Sequence, residues 1–427
     1  MYDILSRLKS LDSEIKIAIV GMGKMGTGLL YQASVTPGIK CVSVCDKEAS
    51  RAIASAKLVR SPHELVANDK EMKEAIERDK LAICKQAELA ARCEAVDVFI
   101  EATSSIKEGA RYSIIALENN KHLVLMNSEI DLIFGPYFKK LAEENDVVYT
   151  SVEGDQYGVI QHLINEVELW GLQIVMAGNI KGYLDRYSNP TKIIPEADKR
   201  NLDYKMATSY TDGTKLGIEM ALVANANGYS VLEPGMYGPP ADHVKNVFDL
   251  FDIGAQFEEN GPFVDYVIGA QPGGGVFIIG RCDNPYQKSM LSYYKMGEGP
   301  FYLFYRPYHL CHIEAMESVA RAYLDKESLL QPNFGFQTNV FAYAKKDLKK
   351  GQTLDGIGGY TSYGVIENCS DKSNNGLPLC LADNLTLSRS VAKDEKIRFS
   401  DVNYDQNSYE FKLYLKALQE SEEIILQ

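Results

Sequence analysis

Residues 15–33, IKIAIVGMGKMGTGLLYQA, decide the fold. The run IKIAIV at 15–20 is apolar and of strand length, and it leads straight into Gly21-Met22-Gly23-Lys24-Met25-Gly26. After the glycines the apolar positions take up helical spacing. A second apolar run, CVSVCDKE at 41–48, contains Asp46. Strand, glycine bend, helix, strand and acid, in that order, make the first unit of a doubly wound sheet. Each glycine of the G-x-G-x-x-G spacing has its own task. Gly21 permits the tight turn, Gly23 lets the main chain approach a pyrophosphate, and Gly26 lets the helix lie close on its strand. The helix start, with Met22, Lys24 and Met25 between the glycines, turns N–H groups and a positive dipole end toward phosphates. Asp46 stands where an acid accepts hydrogen bonds from a ribose hydroxyl. It would repel a 2′-phosphate that Lys47 and Arg51 would attract, so NAD and NADP both stay open. The competing explanation is a plain turn that needs glycine only for packing.

Working outward, strands and helices keep alternating. Strands are expected at VDVFIEAT (96–103), KHLVLMN (121–127) and DVVYTS (146–151), with helices through about 119 and over about 135–145. Residues 64–95 read as polar and helix-rich. The fold class is therefore α/β, with a Rossmann doubly wound sheet in residues 1–155. Residues 156–338 mix helices and strands with Gly/Pro loops such as LEPGMYGPPAD, and are read as an α+β substrate and oligomerisation domain. Residues 339–427 hold short strands between the turn signals KKDLKKGQTL, DKSNNGLP and VAKDEKI, then a charged helix over 406–427.

The composition is that of a globular protein, with 45% hydrophobic and 24% charged residues in 427. A formal charge of −13 without a basic face argues against a nucleic-acid partner. No apolar run is long enough to cross a membrane, and the first twenty residues lack a signal-like pattern, so a cytoplasmic protein is expected. The eight cysteines are scattered and read as reduced structural thiols. Cys41 and Cys45 are spaced C-x3-C, but they fall on a strand with no partner pair after them.

Ligands of such sheets bind beyond the carboxyl ends of the strands, and polar residues gather there. Ala102 and Thr103, after Glu101, are candidates for the nicotinamide ribose; strand-end capping is the alternative. Asn127 and Glu129, with Asp131 behind them, follow the next strand, where a helix cap and first-turn acids are the alternative. Asp155 and Gln156 follow the last strand and open a helix. Lys181, Arg186 and Lys192 make the loop GYLDRYSNPTKI cationic inside an acidic chain, which suits a carboxylate or phosphate substrate; a solvated loop is the alternative. Arg306 and His309 sit among aromatics in FYRPYHLCH, where a charge must find a partner or a pocket. His309 and His312 make no convincing metal pair, and no metal site is assigned. Pro272-Gly273-Gly274-Gly275 precedes a strand and reads as a tight turn more readily than as a phosphate cradle.

IAIVGMGKMG, DVFIEATSS and HLVLMNSE resemble homoserine dehydrogenase. Residues 187–215, QPGGGVFIIGR (271–281) and above all GPFYLFYRPYHLCHIE (299–314) resemble a narrower group, homoserine-dehydrogenase-like proteins with a C-terminal SAF domain. That group includes the deoxyxylulose phosphate reductoisomerase-like enzymes. AYAKKDLKKGQTL (342–354) is similar to the opening of SAF domains, which are small β-clip modules.

The resemblance implies an NAD(P)-dependent oxidoreductase acting on a small polar, anionic hydroxy or oxo compound, assembled as a homo-oligomer. It also implies catalytic roles for Asp212 and Lys215 in TSYTDGTKLGIEMALVANANG. Lys215 would give the proton to the alkoxide and Asp212 would orient it, from one face of a shared helix. The family spacing is four rather than three, and the lysine of the family's Ala-Asn-Lys triplet is absent from Met126-Asn127-Ser128-Glu129. The second reading is a reductoisomerase on a sugar-phosphate-like substrate, with a divalent metal holding vicinal oxygens. The third is a non-catalytic dinucleotide sensor.

Overall fold

The computed structural model describes residues 4–369 and 375–426. The turn signal DKSNNGLP lies partly outside the described residues. The chain forms two compact units, one from residues 1–158 with 310–331 and one from 159–309 with 332–427.

The first unit is built on seven strands: β1 (Ile15–Val20), β2 (Ile39–Cys45), β3 (His63–Leu65), β4 (Leu81–Cys84), β5 (Val98–Glu101), β6 (His122–Leu125) and β7 (Tyr149–Ser151). They pair in the order β3-β4-β2-β1-β5-β6-β7, every neighbour parallel. Strands β4, β5, β6 and β7 are buried along their whole length, as expected of a parallel sheet covered on both faces. The covering helices are α1 (Ile4–Lys9), α2 (Lys24–Val35), α3 (Ala49–Leu58), α4 (Asp69–Glu77), α5 (Ala87–Arg92), α6 (Ile106–Glu118) and α7 (Ser128–Glu144). Strand order reverses between β1 and β5, which opens the crevice where such sheets take ligands.

Two details correct the sequence reading. Residues 64–95 are not simply helical, because Leu81-Ala82-Ile83-Cys84 forms β4 and His63–Leu65 forms β3. Four apolar residues between polar helices are too short to show a period. Helix α7 begins at Ser128, well before 135, with Asn127 as its cap. It carries Pro136 internally but is buried over most of its length, so packing outweighs the proline.

The second unit holds a mixed sheet of β8 (Gln173–Lys181), β9 (Phe263–Ile268), β10 (Val276–Arg281) and β11 (Phe301–Arg306), in the order β11-β10-β8-β9. Strands β8 and β9 run parallel, and β10 is antiparallel to both β8 and β11. The helices along this stretch are α8 (Gln156–Leu169), α9 (Ile194–Arg200), α10 (Tyr204–Thr211), α11 (Thr214–Asn227), α12 (Val247–Leu250), α13 (Ile253–Asn260) and α14 (Pro285–Tyr293). A cluster around Val175, Met176, Phe263, Phe277 and Ile279 forms the core against Val244, Val247 and Phe251.

Helix α15 (Cys311–Leu324) returns to the first unit and packs on α2. The C-terminal part of the second unit is a pair, β12 (Thr338–Ala344) with β13 (Ser362–Asn368), the small pair β14 (Thr386–Leu387) with β15 (Val402–Asn403), and α16 (Tyr409–Leu426). Helix α11 is buried from Thr214 to Ala226 because it packs on both β8–β9 and β12–β13. Most of its residues are apolar or small, and Lys215, Glu219 and Asn225 are buried among them. Among the described residues no helix is long and apolar enough to cross a membrane.

Candidate functional site

In the first unit, the end of β1 and the start of α2 form a bend whose three glycines differ in what they need. Gly21 has φ +93, and a Cβ there would lie 2.6 Å from the Ala102 carbonyl oxygen. The loops after β1 and β5 therefore touch, which a side chain would prevent. A Cβ on Gly26 would lie 1.9 Å from the Gly21 carbonyl oxygen, so the helix lies directly on the bend. Gly23 is different. Its φ is −77, and a Cβ would meet nothing within 4 Å. Neither backbone nor neighbours require glycine there, and the cradle is open where a pyrophosphate would approach. Gly23 caps α2 without any side chain acting as cap, so the dipole end is presented outward.

Asp46 is 9% exposed, and its carboxylate accepts N–H groups from Met22 and Glu48, each at 2.8 Å. The acid at the end of β2 thus braces the glycine bend. Lys24 and Lys47 are exposed beside it and Met25 is half-buried. Arg51 is tied to Glu48 by two contacts of 3.1 and 3.2 Å.

At the end of β5, Glu101 accepts the Thr103 N–H at 2.9 Å, and Ala102 donates its N–H to Val20. Ala102 and Thr103 are half-buried. Burial pushes the Glu101 carboxyl up to about 8, with Thr103 and Asn127 opposing and Glu129 adding to it. Asn127 caps α7 by accepting the Ile130 N–H, and Glu129 lies in the first turn beside Ser128. Asp131 accepts hydroxyl hydrogens from Tyr149 and Ser151 and so ties α7 to β7.

Beyond β7, Asp155 accepts the Gln156 N–H at 2.9 Å, and both residues are buried. The Cys311 thiol at the start of α15 lies 3.6 Å from Asp155. His312 covers α2, because a Cβ on Gly28 would come within 2.5 Å of its ring. Burial first, then Lys24, lowers the His312 pKa. The neighbouring Glu153 accepts the Ser318 hydroxyl hydrogen and lies 3.9 Å from Arg321; burial holds its carboxyl near 8. Glu153 and the contacts of His312 went unread in the sequence, since α15 is remote in the chain.

In the second unit, Lys181 at the end of β8 lies 3.7 Å from Glu219, both largely buried. Lys215 is 6% exposed and one helical turn before Glu219 on α11, so the three polar groups share one region of the β8–α11 layer. Glu219 was not singled out in the sequence; its spacing from Lys215 was the available signal.

Asp212 does not share a helix with Lys215. It caps the end of α10, and Gly213 at φ +88 breaks the chain before α11 begins. Asp212 faces Lys345 at 2.8 Å instead, with both side chains buried. Burial raises its pKa and Lys345 opposes that. The pairing spans 133 residues of sequence, from 212 to 345, and has no local signature.

Lys192 is exposed, donates to the Tyr187 carbonyl at 3.2 Å and lies 3.7 Å from Asp185. Arg186 lines a small cleft, open to solvent, with Asp212, Gly235 and Tyr266. Arg306 stacks over Tyr308 at 4.5 Å. A His309 ring nitrogen lies 2.8 Å from the Gly274 carbonyl oxygen, and Gly275 donates to Pro272, so residues 272–275 form a turn.

Residues 154–315 match the family model of the oxidoreductase DRL catalytic domain. The match covers well under half of the chain, so it is a similarity of this segment to DRL-type oxidoreductase catalytic domains. The matched segment includes Asp155, Gln156, Lys181, Lys192, Asp212, Lys215, Arg306 and His309. The match ends before residues 342–354, on which the SAF resemblance rests. A comparison with curated proteins gives no match.

Among solved structures, 1-deoxy-D-xylulose 5-phosphate reductoisomerase from Zymomonas mobilis, in complex with NADPH, is 15% identical, over 49% of this chain and 57% of its own, at TM-score 0.35. An oxidoreductase from Agrobacterium radiobacter, in complex with NAD+, L-tartaric acid and magnesium, is 11% identical over 40% and 46%, at 0.30. A Desulfitobacterium hafniense protein, provisionally described as an NADPH-dependent oxidoreductase, is 10% identical over 74% and 90%, at 0.41. The chain thus spans about half the length of the first two. At these TM-scores the likenesses carry no functional assignment.

Proposed function

We propose that the chain binds NAD or NADP on the glycine bend between β1 and α2. There it would transfer hydride to or from a small polar hydroxy or oxo compound bearing an anionic group. The observation that carries this reading is Gly23, a glycine that the fold itself does not require, at the strand-order reversal beside Asp46. The DRL-type match of residues 154–315 supports the reaction class.

The residues present fit a dinucleotide. Gly21, Met22, Gly23, Lys24, Met25 and Gly26 would hold the diphosphate, and Asp46 with Lys47 the adenosine ribose. Ala102, Thr103, Asn127 and Glu129 would meet the nicotinamide ribose. Bound nicotinamide supplies or accepts the hydride. Lys215 would hold the proton at the substrate oxygen, kept in place by its burial on α11. Lys181, with Arg306, His309 and Lys192, would bind the anionic part of the substrate, and Asp155 and Gln156 its polar remainder. Asp212 would act at a distance, by fixing the turn that starts α11.

In this reading residues 1–155 hold the coenzyme, 156–338 the substrate, and 339–427 form a SAF-like module. The proposal includes a cytoplasmic homo-oligomer with no nucleic-acid or membrane partner.

Nicotinamide absorbance is followed with NADH, NADPH, NAD+ and NADP+ against hydroxy acids, aldehydes and sugar phosphates, with and without Mg2+. Turnover is expected with at least one pair. Lys215→Ala should lower it about a hundredfold or more while coenzyme affinity is kept. Absence of binding by all four nucleotides at roughly millimolar concentration would overturn the reading.

A further inference from the structure

Glu101 is an odd residue for the central strand pair of a parallel sheet. It ends β5 beside β1, has no solvent exposure, and sits under α6. Helix α6 closes over it through Gly109, where a Cβ would lie 3.1 Å from both Cδ and Oε1 of Glu101 and 3.2 Å from the Thr103 hydroxyl. Oε1 accepts the Thr103 main-chain N–H, and the Asn127 side chain acts on the same carboxyl group. Oε2 is buried without a hydrogen-bond partner of good geometry. A carboxylate left so is strongly disfavoured against the neutral acid.

We propose that Glu101 is a positioning residue of the coenzyme site: its carboxyl group fixes the Thr103 main chain and the Asn127 side chain, so that the loops after β5 and β6 meet the coenzyme in one geometry. The proposal rests on the coenzyme reading above. The main chain already runs through this residue on both sides. Ala102 donates to Val20 at the end of β1, and Met126 donates to the Glu101 carbonyl, at 2.8 and 2.9 Å. The side chain adds the cross-link that the ladder cannot supply, between the residues after β5 and the cap of α7.

The neutral acid is the form that does this. Burial holds the carboxyl near 8, and Glu129 at the start of α7 is the charged group that acts on it, with the same sign. Ionisation places a second negative charge beneath a ligand that is itself a diphosphate. A bound coenzyme therefore holds the proton on Glu101 more tightly, and by linkage its affinity falls as pH rises through about 8.

The test is a fluorescence titration of the full-length protein with NADH and NADPH at several pH values on each side of 8, for wild type, Glu101→Gln and Glu101→Ala. Glutamine keeps an acceptor for Thr103 but cannot ionise. Wild-type affinity should fall by up to about tenfold per pH unit above the midpoint. Glu101→Gln should bind within about threefold of wild type at neutral pH and lose that fall. Glu101→Ala should bind about tenfold more weakly than wild type at neutral pH and, like Glu101→Gln, show no fall above pH 8. Infrared difference spectra should show protonated carboxyl absorption that titrates near pH 8, from Glu101 and Glu153 together, and the part lost in Glu101→Gln reads Glu101 without any coenzyme. An unchanged pH profile in Glu101→Gln, or wild-type affinity in a folded Glu101→Ala, overturns the proposal. Wild type that shows the infrared band but binds neither nucleotide overturns the coenzyme reading, and the positioning role with it.

Discussion

The carboxylate of Asp46 accepts the main-chain N–H of Met22 at 2.8 Å, so the acid that ends β2 is also the strut of the glycine bend after β1. Its other oxygen accepts the Glu48 N–H. Both oxygens keep a lone pair, so a ribose hydroxyl can still be accepted. Asp46→Ala removes brace and acceptor together. Coenzyme affinity should drop about tenfold or more, and stability by about 1–2 kcal/mol, because two N–H groups lose their partner. Loss of the negative charge should also raise NADPH affinity relative to NADH. Calorimetric titration with both nucleotides measures this; an unchanged preference would remove Asp46 from the ribose site.

Gly23 and Gly26 separate binding from folding. A methyl group at Gly23 meets open space at an ordinary φ, so Gly23→Ala should change stability by no more than about 0.5 kcal/mol. It should nevertheless weaken the coenzyme by about tenfold or more, since the main chain can no longer approach the diphosphate. Gly26→Ala pushes a Cβ onto the Gly21 carbonyl oxygen and should destabilise the first unit by about 1–3 kcal/mol. Melting curves with and without NADH distinguish the two. Equal melting points and equal affinities would show that the bend tolerates side chains throughout.

What the sequence made legible was local. The strand–bend–helix–strand order, the three glycines and Asp46 lie within 32 residues, from 15 to 46, and each states its own steric or electrostatic requirement. Strand β4 was hidden because four apolar residues carry no period. The partner of Asp212 was hidden for another reason. Helical spacing to Lys215 was a reasonable guess, but Gly213 at positive φ ends one helix before the next begins, and Lys345 arrives from a distant strand end. Helix α15 was equally unreadable as part of the first unit, since nothing in its own residues says which sheet it covers. Apolar periodicity reports that a face is buried, not what buries it.

Lys345 donates to the Ser188 and Gly359 carbonyls at 2.7 and 2.8 Å, and its ammonium lies 2.8 Å from an Asp212 carboxylate oxygen. Lys345→Met should cost about 3–5 kcal/mol, since it leaves a buried carboxylate without its cation. The Asp212 pKa is already raised by burial. Without Lys345 it rises further, so the folded variant takes up a proton that the unfolded chain does not. The deficit should therefore shrink as pH falls. Adding Asp212→Asn should restore part of the loss at neutral pH. Urea unfolding of the single and double variants at two pH values checks both statements, and a deficit independent of pH would mean that Asp212 is not the group left stranded.

His122 gives an acid limit to the first unit. Its Nδ1 accepts the Val148 N–H at 2.9 Å, and the Lys326 ammonium lies 2.8 Å from Nε2. Burial first, and then Lys326, lowers its pKa from 6.5 to about 4. The unfolded chain thus binds a proton below about 6.5 that the folded protein refuses until about 4. Stability from this group is complete above the higher value and falls as pH drops toward the lower one, by up to about 3 kcal/mol. His122→Asn keeps an acceptor near Nδ1 but cannot titrate. It should be less stable than wild type at neutral pH by about 1–2 kcal/mol, because imidazole packing is lost. It should then converge on or overtake wild type as the solution is acidified. Unfolding free energies of the two proteins, taken at matched pH values across that window, give the difference directly. Parallel curves would place the acid sensitivity elsewhere and leave the ring of His122 as a packing element alone.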